Sequence, residues 1–283
     1  MSCLDRSAPL TVLIVAACAC EPPPSVPAGG PFTQLVILGD SIGTGFGVLP
    51  AEAFAQLLLR NDDARYPDFA GRDLEHLAPE VQLVNLSDRG VTTRELLDQL
   101  GRVPDNPSGR TLVVLSIGFN QFRVDLLAFF DARLAWKEAE VTADAVRRVS
   151  AHFADLERFP GGARIALLPL LDPSDGTGRI PPFPQAYGLC LYFFALPNMF
   201  TYWPLFNERL RTLSGEVGLD VTYVDAYAAF LGHGFHHADP TLGSYHPDDP
   251  TLWFGDDCLH ANARGNHELR RLIWSAMRPD ERR

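Results

Sequence analysis

The segment Leu35–Gly47, LVILGDSIGTGFG, ends an apolar run in Gly-Asp-Ser and follows it with glycines at positions 43, 45 and 47. The hydroxyl of Ser41 is a poor nucleophile until a base takes its proton. Among eight histidines, His260 stands out in GDDCLHANARGNHEL, because Asp257 lies three residues before it. A carboxylate at that spacing can reach back to the imidazole Nδ1 within one turn. It would fix the tautomer and steady the imidazolium that forms when the ring accepts a proton. Acyl transfer also needs donors for the developing oxyanion. Gly90, in NLSDRGVTT, follows a second apolar run and precedes a helix start. Its N–H can approach a ligand closely, and a helix N-terminus favours negative charge. Asn120, in LSIGFNQF, follows a third apolar run and offers a neutral side-chain amide. The N–H of Ser41 itself is the remaining candidate donor.

Other chemistries compete for the same glycines. A phosphate loop of the Gly-x-x-x-x-Gly-Lys kind needs a lysine, and Lys137 is the only lysine in the sequence. The dinucleotide fingerprint fails because Val48 stands where its third glycine belongs. A flavodoxin-type phosphate loop stays open. Gly39-Asp40-Ser41-Ile42-Gly43 matches the Gly-x-Ser-x-Gly elbow of α/β-hydrolases, but in that fold several strands precede the serine. A trypsin-like GDSGG context needs its histidine upstream, and no histidine occurs before His76. The plainest alternative is a polar turn.

These residues must be carried by elements. Five short apolar runs, Leu35–Leu38, Val81–Leu86, Thr111–Ile117, Arg164–Leu168 and Val221–Val224, lack the alternation of a half-exposed strand. Strands buried on both faces read this way, as in parallel sheets. Helical patterns separate them: Ala51–Arg60, a capping-box start at Thr92–Glu95, Thr142–Arg158, Asn207–Val217 and Arg264–Met277. The alternation predicts a doubly wound α/β sheet with ligands at the carboxyl ends of its strands, where Ser41 lies. One connection, Asp172–Phe206, is long and rich in proline and aromatics. Pro197 and Pro204 argue against a membrane span within it. It is expected to pack on the core or to wall the site.

In order, the four blocks around Ser41, Gly90, Asn120 and Asp257–His260 resemble the SGNH, or GDSL, hydrolase family of esterases and lipases. The resemblance runs from Leu35 to Trp274. It implies a flavodoxin-like three-layer α/β/α sandwich with a five-stranded parallel sheet. By resemblance Ser41 is the nucleophile, Asp257 and His260 complete the triad, and Ser41, Gly90 and Asn120 form the oxyanion hole. No cofactor or metal is implied, and the substrate would be a small-molecule or lipid ester. The stretch YPDFAGRDL (Tyr66–Leu74) also looks like lipolytic members. Two departures stand out: Gln121 replaces the aspartate of the usual Gly-x-Asn-Asp, and Ala261 replaces the proline after His260. The first leaves the amide in place, and the second is expected to loosen the loop. The alternative to an enzyme is a non-catalytic surface-binding lipoprotein on the same scaffold.

Residues 1–20 read as a signal peptide. The apolar stretch APLTVLIVAACAC is too short to span a bilayer, and Val15-Ala16-Ala17-Cys18 resembles the lipobox of bacterial lipoproteins. The resemblance implies lipidation of Cys18 and an exported protein, anchored at the outer membrane or secreted. Residues 21–31 then form a proline-rich tether and 32–283 the hydrolase domain. Cys190 and Cys258 remain as a possible disulfide in an oxidising compartment. The 283-residue chain carries a net charge of −11, which disfavours a nucleic-acid partner. His233, His236, His237, Asp239 and His246 have a metal-like look, but Gly232, Gly234 and Pro240 argue against the helix that would align them. They are expected to pack around the loop that carries His260.

Overall fold

The computed structural model describes residues 30–195 and 198–278. The proposed signal, lipobox and most of the tether lie outside the described residues. The chain forms strands β1 (Phe32–Gly39), β2 (Gln82–Asn85), β3 (Arg110–Ser116), β4 (Ala163–Leu168) and β5 (Val221–Tyr223). The helices are α1 (Phe54–Leu59), α2 (Leu74–Leu77), α3 (Thr93–Leu100), α4 (Phe119–Val124), α5 (Ala132–Phe153), α6 (Leu189–Ala195), α7 (Trp203–Thr212), α8 (Ala226–Phe230) and α9 (Ala263–Met277). All five strands pair in parallel, in the order β2-β1-β3-β4-β5. This is the flavodoxin-like order, with its topological switch between β1 and β3.

The unbroken apolar runs now have a cause. Along β1, Val36 and Leu38 enter one core with α3, α5 and α7. Leu35 and Ile37 point the other way, into a second core with α1, α8 and α9. The same split divides Val113 and Leu115 from Leu112 and Val114 on β3. A strand covered on both faces has no polar side to show. Burying each such side chain contributes about 1.5–3 kcal/mol, which is why a continuous apolar run settles centrally.

Helix boundaries follow local chemistry. Thr92 caps α3 with the expected box: its hydroxyl accepts from Arg94 N, and the Glu95 carboxylate accepts from Thr92 N. Helix α5 begins ten residues before the expected Thr142, where Asp131 Oδ1 accepts from the N–H groups of Arg133 and Leu134. Its first half buries Ala135 and Ala139, whose small side chains leave little apolar periodicity in the sequence. Helix α7 starts at Trp203, with Pro204 in its first turn, four residues ahead of the expected Asn207. Short helices α2, α4, α6 and α8 carry too few residues to show a period. Among the described residues no helix is long and apolar enough to cross a membrane.

The long connection after β4 packs on the first core through Phe193, Phe200, Trp203 and Phe206. Cys190 on α6 is disulfide-bonded to Cys258, with Cα atoms 5.0 Å apart, so this connection is tied to the segment before His260. The tie closes a separation of 68 residues. Removing it by Cys190→Ser is expected to lower stability by about 4 kcal/mol on chain entropy. Urea unfolding would measure that loss. Proteolytic mapping without reductant should recover one linked Cys190–Cys258 peptide, and finding two free thiols there would refute the tie.

Candidate active site

The carboxyl edge of the sheet collects the residues that could do chemistry. Ser41 follows β1 directly, and Gly39 explains the approach. Its φ is +110°, and a Cβ there would meet the Ser116 carbonyl of β3 at 1.8 Å. Only glycine permits this crossing. The Gly39 peptide is clamped on both sides by buried Gln99 of α3, whose Oε1 accepts from Gly39 N at 2.7 Å and whose Nε2 donates to Gly39 O at 2.9 Å. Asp40 N donates to Ser116 O at 2.9 Å. Ser41 therefore leaves the sheet from a fixed point.

His260 Nε2 lies 2.7 Å from Ser41 Oγ, across 219 residues of sequence. On the other side of the ring, Nδ1 hydrogen-bonds Asp257 Oδ2. Asp257 Oδ1 accepts from the backbone N–H groups of Leu259 and His260, each at 3.1 Å. Burial alone would push the Asp257 carboxyl up. The hydrogen bond and charge of His260, with those two backbone donors, outweigh burial and hold it below its ordinary value. An anion at Nδ1 keeps that nitrogen protonated and leaves Nε2 free to accept. All three side chains are buried. The turn between them is tight: Cys258 sits at φ +62°, a left-handed conformation that costs a non-glycine residue about 1 kcal/mol or more.

The spacing Asp-x-x-His occurs a second time, at Asp73 and His76, with a different outcome. There Asp73 caps α2 by accepting from His76 N at 2.8 Å. The contrast shows that spacing alone does not make the pair.

Gly90 and Asn120 reach the same edge. Gly90 lies in the turn before α3 at φ +78°, and a Cβ would meet nothing within 4 Å, so conformation rather than space calls for glycine. Asn120 sits in the first turn of α4 and donates one Nδ2 hydrogen to the Val91 carbonyl at 3.2 Å, tying α4 to the Gly90 turn. Its second Nδ2 hydrogen is left over. Among the described residues the backbone N–H groups of Ser41 and Gly90 meet no protein acceptor. Each of these three donors is thus open to a ligand at the carboxyl edge of the sheet.

Several contributors carry no motif. Phe46 places its ring 4.5 Å from His260, and the Arg89 guanidinium lies over the Phe46 ring, 4.1 Å from its centroid. Arg123 Nη1 donates to Asn120 Oδ1 at 3.3 Å, which turns the amide nitrogen the other way. Arg123 is one helical turn after Asn120, a spacing readable in the sequence; Phe46 and Gln99 gave no such signal. Gln121, in place of the usual aspartate, accepts from Thr93 Oγ1 at 3.0 Å and donates to buried Glu138 at 2.6 Å. Around Ala261 the loop is pinned by Gly255 N to His260 O, 2.8 Å, and Asn262 N to Trp253 O, 2.9 Å. Those bonds, with the disulfide, supply restraint that a proline would otherwise give.

The histidine cluster lies elsewhere in the bonding pattern. His233 stacks between His246 and Trp253, at 4.8 and 3.5 Å. The rings of His233, His236, His237 and His246 each place a nitrogen 2.8–3.1 Å from a backbone carbonyl. Trp253 N bonds His233 O at 2.9 Å, so the cluster packs against the start of the His260 loop.

A family model for GDSL-like lipase/acylhydrolases matches residues 35–273. The chain belongs to this family. The GDSL-like match makes it a hydrolase and covers every site residue named above. No curated protein matches the chain. Solved structures with a similar fold include an alpha/beta hydrolase enzyme from the metagenome of Lake Arreo, Spain, at TM-score 0.50 and 19% identity, covering 90% of this chain and 98% of that one. A gut microbial diltiazem-metabolizing enzyme matches at TM-score 0.52 and 15% identity, covering 88% and 47%. An extracellular lipase from Streptomyces rimosus matches at 0.49 and 14%, covering 86% and 99%. At these identities the likeness is one of fold.

Asp40 makes a pH-dependent prediction. Burial pushes its carboxyl up to about 6 from 3.8, against the Ile42 N–H, the charge of His260 and the Ser116 hydroxyl. The native state therefore holds a proton that the unfolded chain releases, and stability falls as pH rises from about 4 to about 6. Asp40→Asn keeps an acceptor for Ile42 and Ser116 and removes this titration. Relative to the native protein, the variant should gain about 2 kcal/mol between pH 4 and pH 7.5. Urea midpoints of both proteins at the two pH values check this, and a constant difference would contradict it.

Proposed function

We propose that this GDSL-family hydrolase is an exported serine esterase that works through an acyl-enzyme on Ser41. The observation that carries the reading is the unbroken line Ser41 Oγ, His260 Nε2, His260 Nδ1, Asp257 Oδ2. His260 takes the Ser41 proton as Oγ attacks the ester carbonyl. The oxyanion is held by Ser41 N–H, Gly90 N–H and Asn120 Nδ2. The tetrahedral species expels the alkoxide, which receives the proton from His260. A water molecule then repeats the cycle on the acyl-enzyme, giving the acid and free Ser41. Asp257 stays ionised throughout and stabilises the imidazolium. No step calls for a metal or cofactor.

Export and lipidation of Cys18 rest on the sequence of residues 1–20 alone. In that reading the proline-rich tether holds the domain near a membrane surface, and the alternative is a secreted protein.

The test uses the full chain and p-nitrophenyl acetate. Ser41→Ala should abolish turnover, and a phosphonate ester should label the native protein once, at Ser41. Asn120→Ala should lower kcat by roughly 10²–10³ with folding intact. Equal turnover by Ser41→Ala and the native protein would refute the reading.

A further inference from the structure

The two Asp-x-x-His stretches share one hydrogen bond. Asp73 Oδ1 accepts from His76 N at 2.8 Å, and Asp257 Oδ1 accepts from His260 N at 3.1 Å. They part at the residue after the aspartate. Leu74 is the first residue of α2 and so is right-handed, and the Asp73 carboxylate caps that helix. Cys258 is left-handed, at φ +62°. Its turn brings a second backbone donor, Leu259 N, to Asp257 Oδ1 at 3.1 Å and leaves Oδ2 on the His260 ring. The handedness of one residue accompanies the difference between a helix cap and a carboxylate–imidazole pair.

Left-handed backbone is disfavoured for any residue with a Cβ, and glycine is its usual occupant. Here the occupant is a cysteine whose sulfur is bonded to Cys190 on α6, with Cα atoms 5.0 Å apart. That bond fixes where the Cβ of residue 258 points. Helix α6 is itself held. Cys190 and Phe193 are buried, and Phe193 meets Phe200 edge-on at 5.1 Å. Tyr187, two residues ahead of the helix, donates its N–H to Asp256 O at 3.2 Å. A backbone hydrogen bond and a covalent bond therefore both join this segment to the turn. Without the covalent one, residue 258 can relax to negative φ, which turns the N–H groups of Leu259 and His260 away from Asp257.

We propose that Cys258 is a positioning residue of the triad: its disulfide to Cys190 holds the left-handed turn that presents Asp257 Oδ2 to His260 Nδ1, so that turnover depends on this bond being closed. The proposal rests on the serine esterase reading. The disulfide meets neither the substrate nor the reacting atoms; it acts through Asp257 and His260. Opening it with a dithiol is a two-electron exchange. The S–S bond breaks, Cys190 and Cys258 each end as a thiol, and the dithiol closes to its own disulfide.

The experiment compares the full chain with two variants that cannot form the bond, Cys190→Ser with Cys258→Ser and Cys190→Ser with Cys258→Gly. Their kcat/KM on p-nitrophenyl acetate is read at a temperature where all three proteins show a complete far-UV helix signal. The Cys258→Ser variant should lose roughly tenfold, the weight of one disfavoured left-handed residue. The Cys258→Gly variant enters the left-handed region freely and should recover most of that loss. In ¹H NMR, the far-downfield proton shared by His260 Nδ1 and Asp257 should weaken in the first variant and return in the second. A Cys258→Ser variant as active as the native protein overturns the positioning role and leaves the esterase reading standing, and so does a Cys258→Gly variant no more active than the Cys258→Ser one. No turnover by the native protein overturns the esterase reading, and the shared proton alone then decides whether the bond positions the pair. If neither variant folds, the native protein is opened stepwise with dithiothreitol. Its kcat/KM should fall in step with the appearance of the Cys190 and Cys258 thiols, at constant helix signal. Activity kept after both thiols appear overturns the proposal. Helix signal lost together with activity also overturns it, because the bond then serves the fold as a whole.

Discussion

The contact between Ser41 Oγ and His260 Nε2, 2.7 Å long, is the constraint on which the molecule depends. A hydrogen bond loses its directionality within a few tenths of an ångström and some tens of degrees. Its two partners sit at opposite ends of the chain, so everything between them has to be stiff. The parallel sheet supplies the stiffness. Strands β1, β3 and β4 are bonded in register and buried on both faces, so their carboxyl ends cannot slide. Ser41 is fixed to β1 through Gly39 and its clamp Gln99. His260 is fixed from the other direction, by α9 beginning at Ala263 and by the 253–262 loop that folds back on itself. Asn262 closes that loop: its Oδ1 caps α9 by accepting from Gly265 N, while its Nδ2 donates to the Leu252 and Phe254 carbonyls. The site is thus the meeting of two rigid bodies, and the disulfide ties the aromatic connection to the second of them.

Burial pushes two carboxyls near the serine upward, yet their net shifts go in opposite directions. Asp40 lies beneath the turn with one backbone donor and one hydroxyl, and burial wins, lifting it to about 6. Asp257 has two backbone donors and an imidazole in direct contact, and these win over burial. A low-dielectric site does not treat carboxyls alike; the donors around each decide how far its ionisation is displaced. Asp257, the one held low, faces the imidazole directly, where it stabilises the imidazolium during proton transfer.

Much of this was legible in the sequence, and the limits have physical reasons. The central strands β1, β3 and β4 were readable because double-sided burial removes most polar residues from them, and the capping box at Thr92 was readable because its hydrogen bonds are local. The capping chemistry of α5 was local too, but Ala135 and Ala139 hide the helix's first half from any apolar count. For the site, Ser41 and the two oxyanion candidates stand immediately after apolar runs, so topology brings them to one edge. The Asp-x-x-His spacing carried less than it suggests. Asp73 and His76 have it as well, and there the carboxylate satisfies a helix N-terminus instead of a ring. What separates the two pairs is the tertiary setting, in which His260 has a hydroxyl across from it. Phe46, Gln99 and Arg89 were invisible because they act through packing and through bonds to backbone, and those depend on which distant segment folds against them.

The departure at Gln121 shows how a motif change is compensated by its surroundings. The amide stands between two groups with opposite demands. Thr93, at the start of α3, offers a hydroxyl at 3.0 Å that needs an acceptor. Glu138, buried on α5, offers a carboxylate oxygen at 2.6 Å that needs a donor. An aspartate at 121 could satisfy Thr93 but would set a second carboxylate against Glu138, where, among the described residues, Lys137 at 3.5 Å is the one cation paired with it. A neutral amide presents an oxygen to one neighbour and an N–H to the other, so it fits both. Gln121 and Glu138 therefore belong together: a change at either one alone leaves a buried charge or a buried donor without its partner. Because Gln121 follows Asn120 on the first turn of α4, this bridge between α3 and α5 also fixes the helix that aims the Asn120 amide. The unusual residue after the asparagine is in this way part of what holds the asparagine in place.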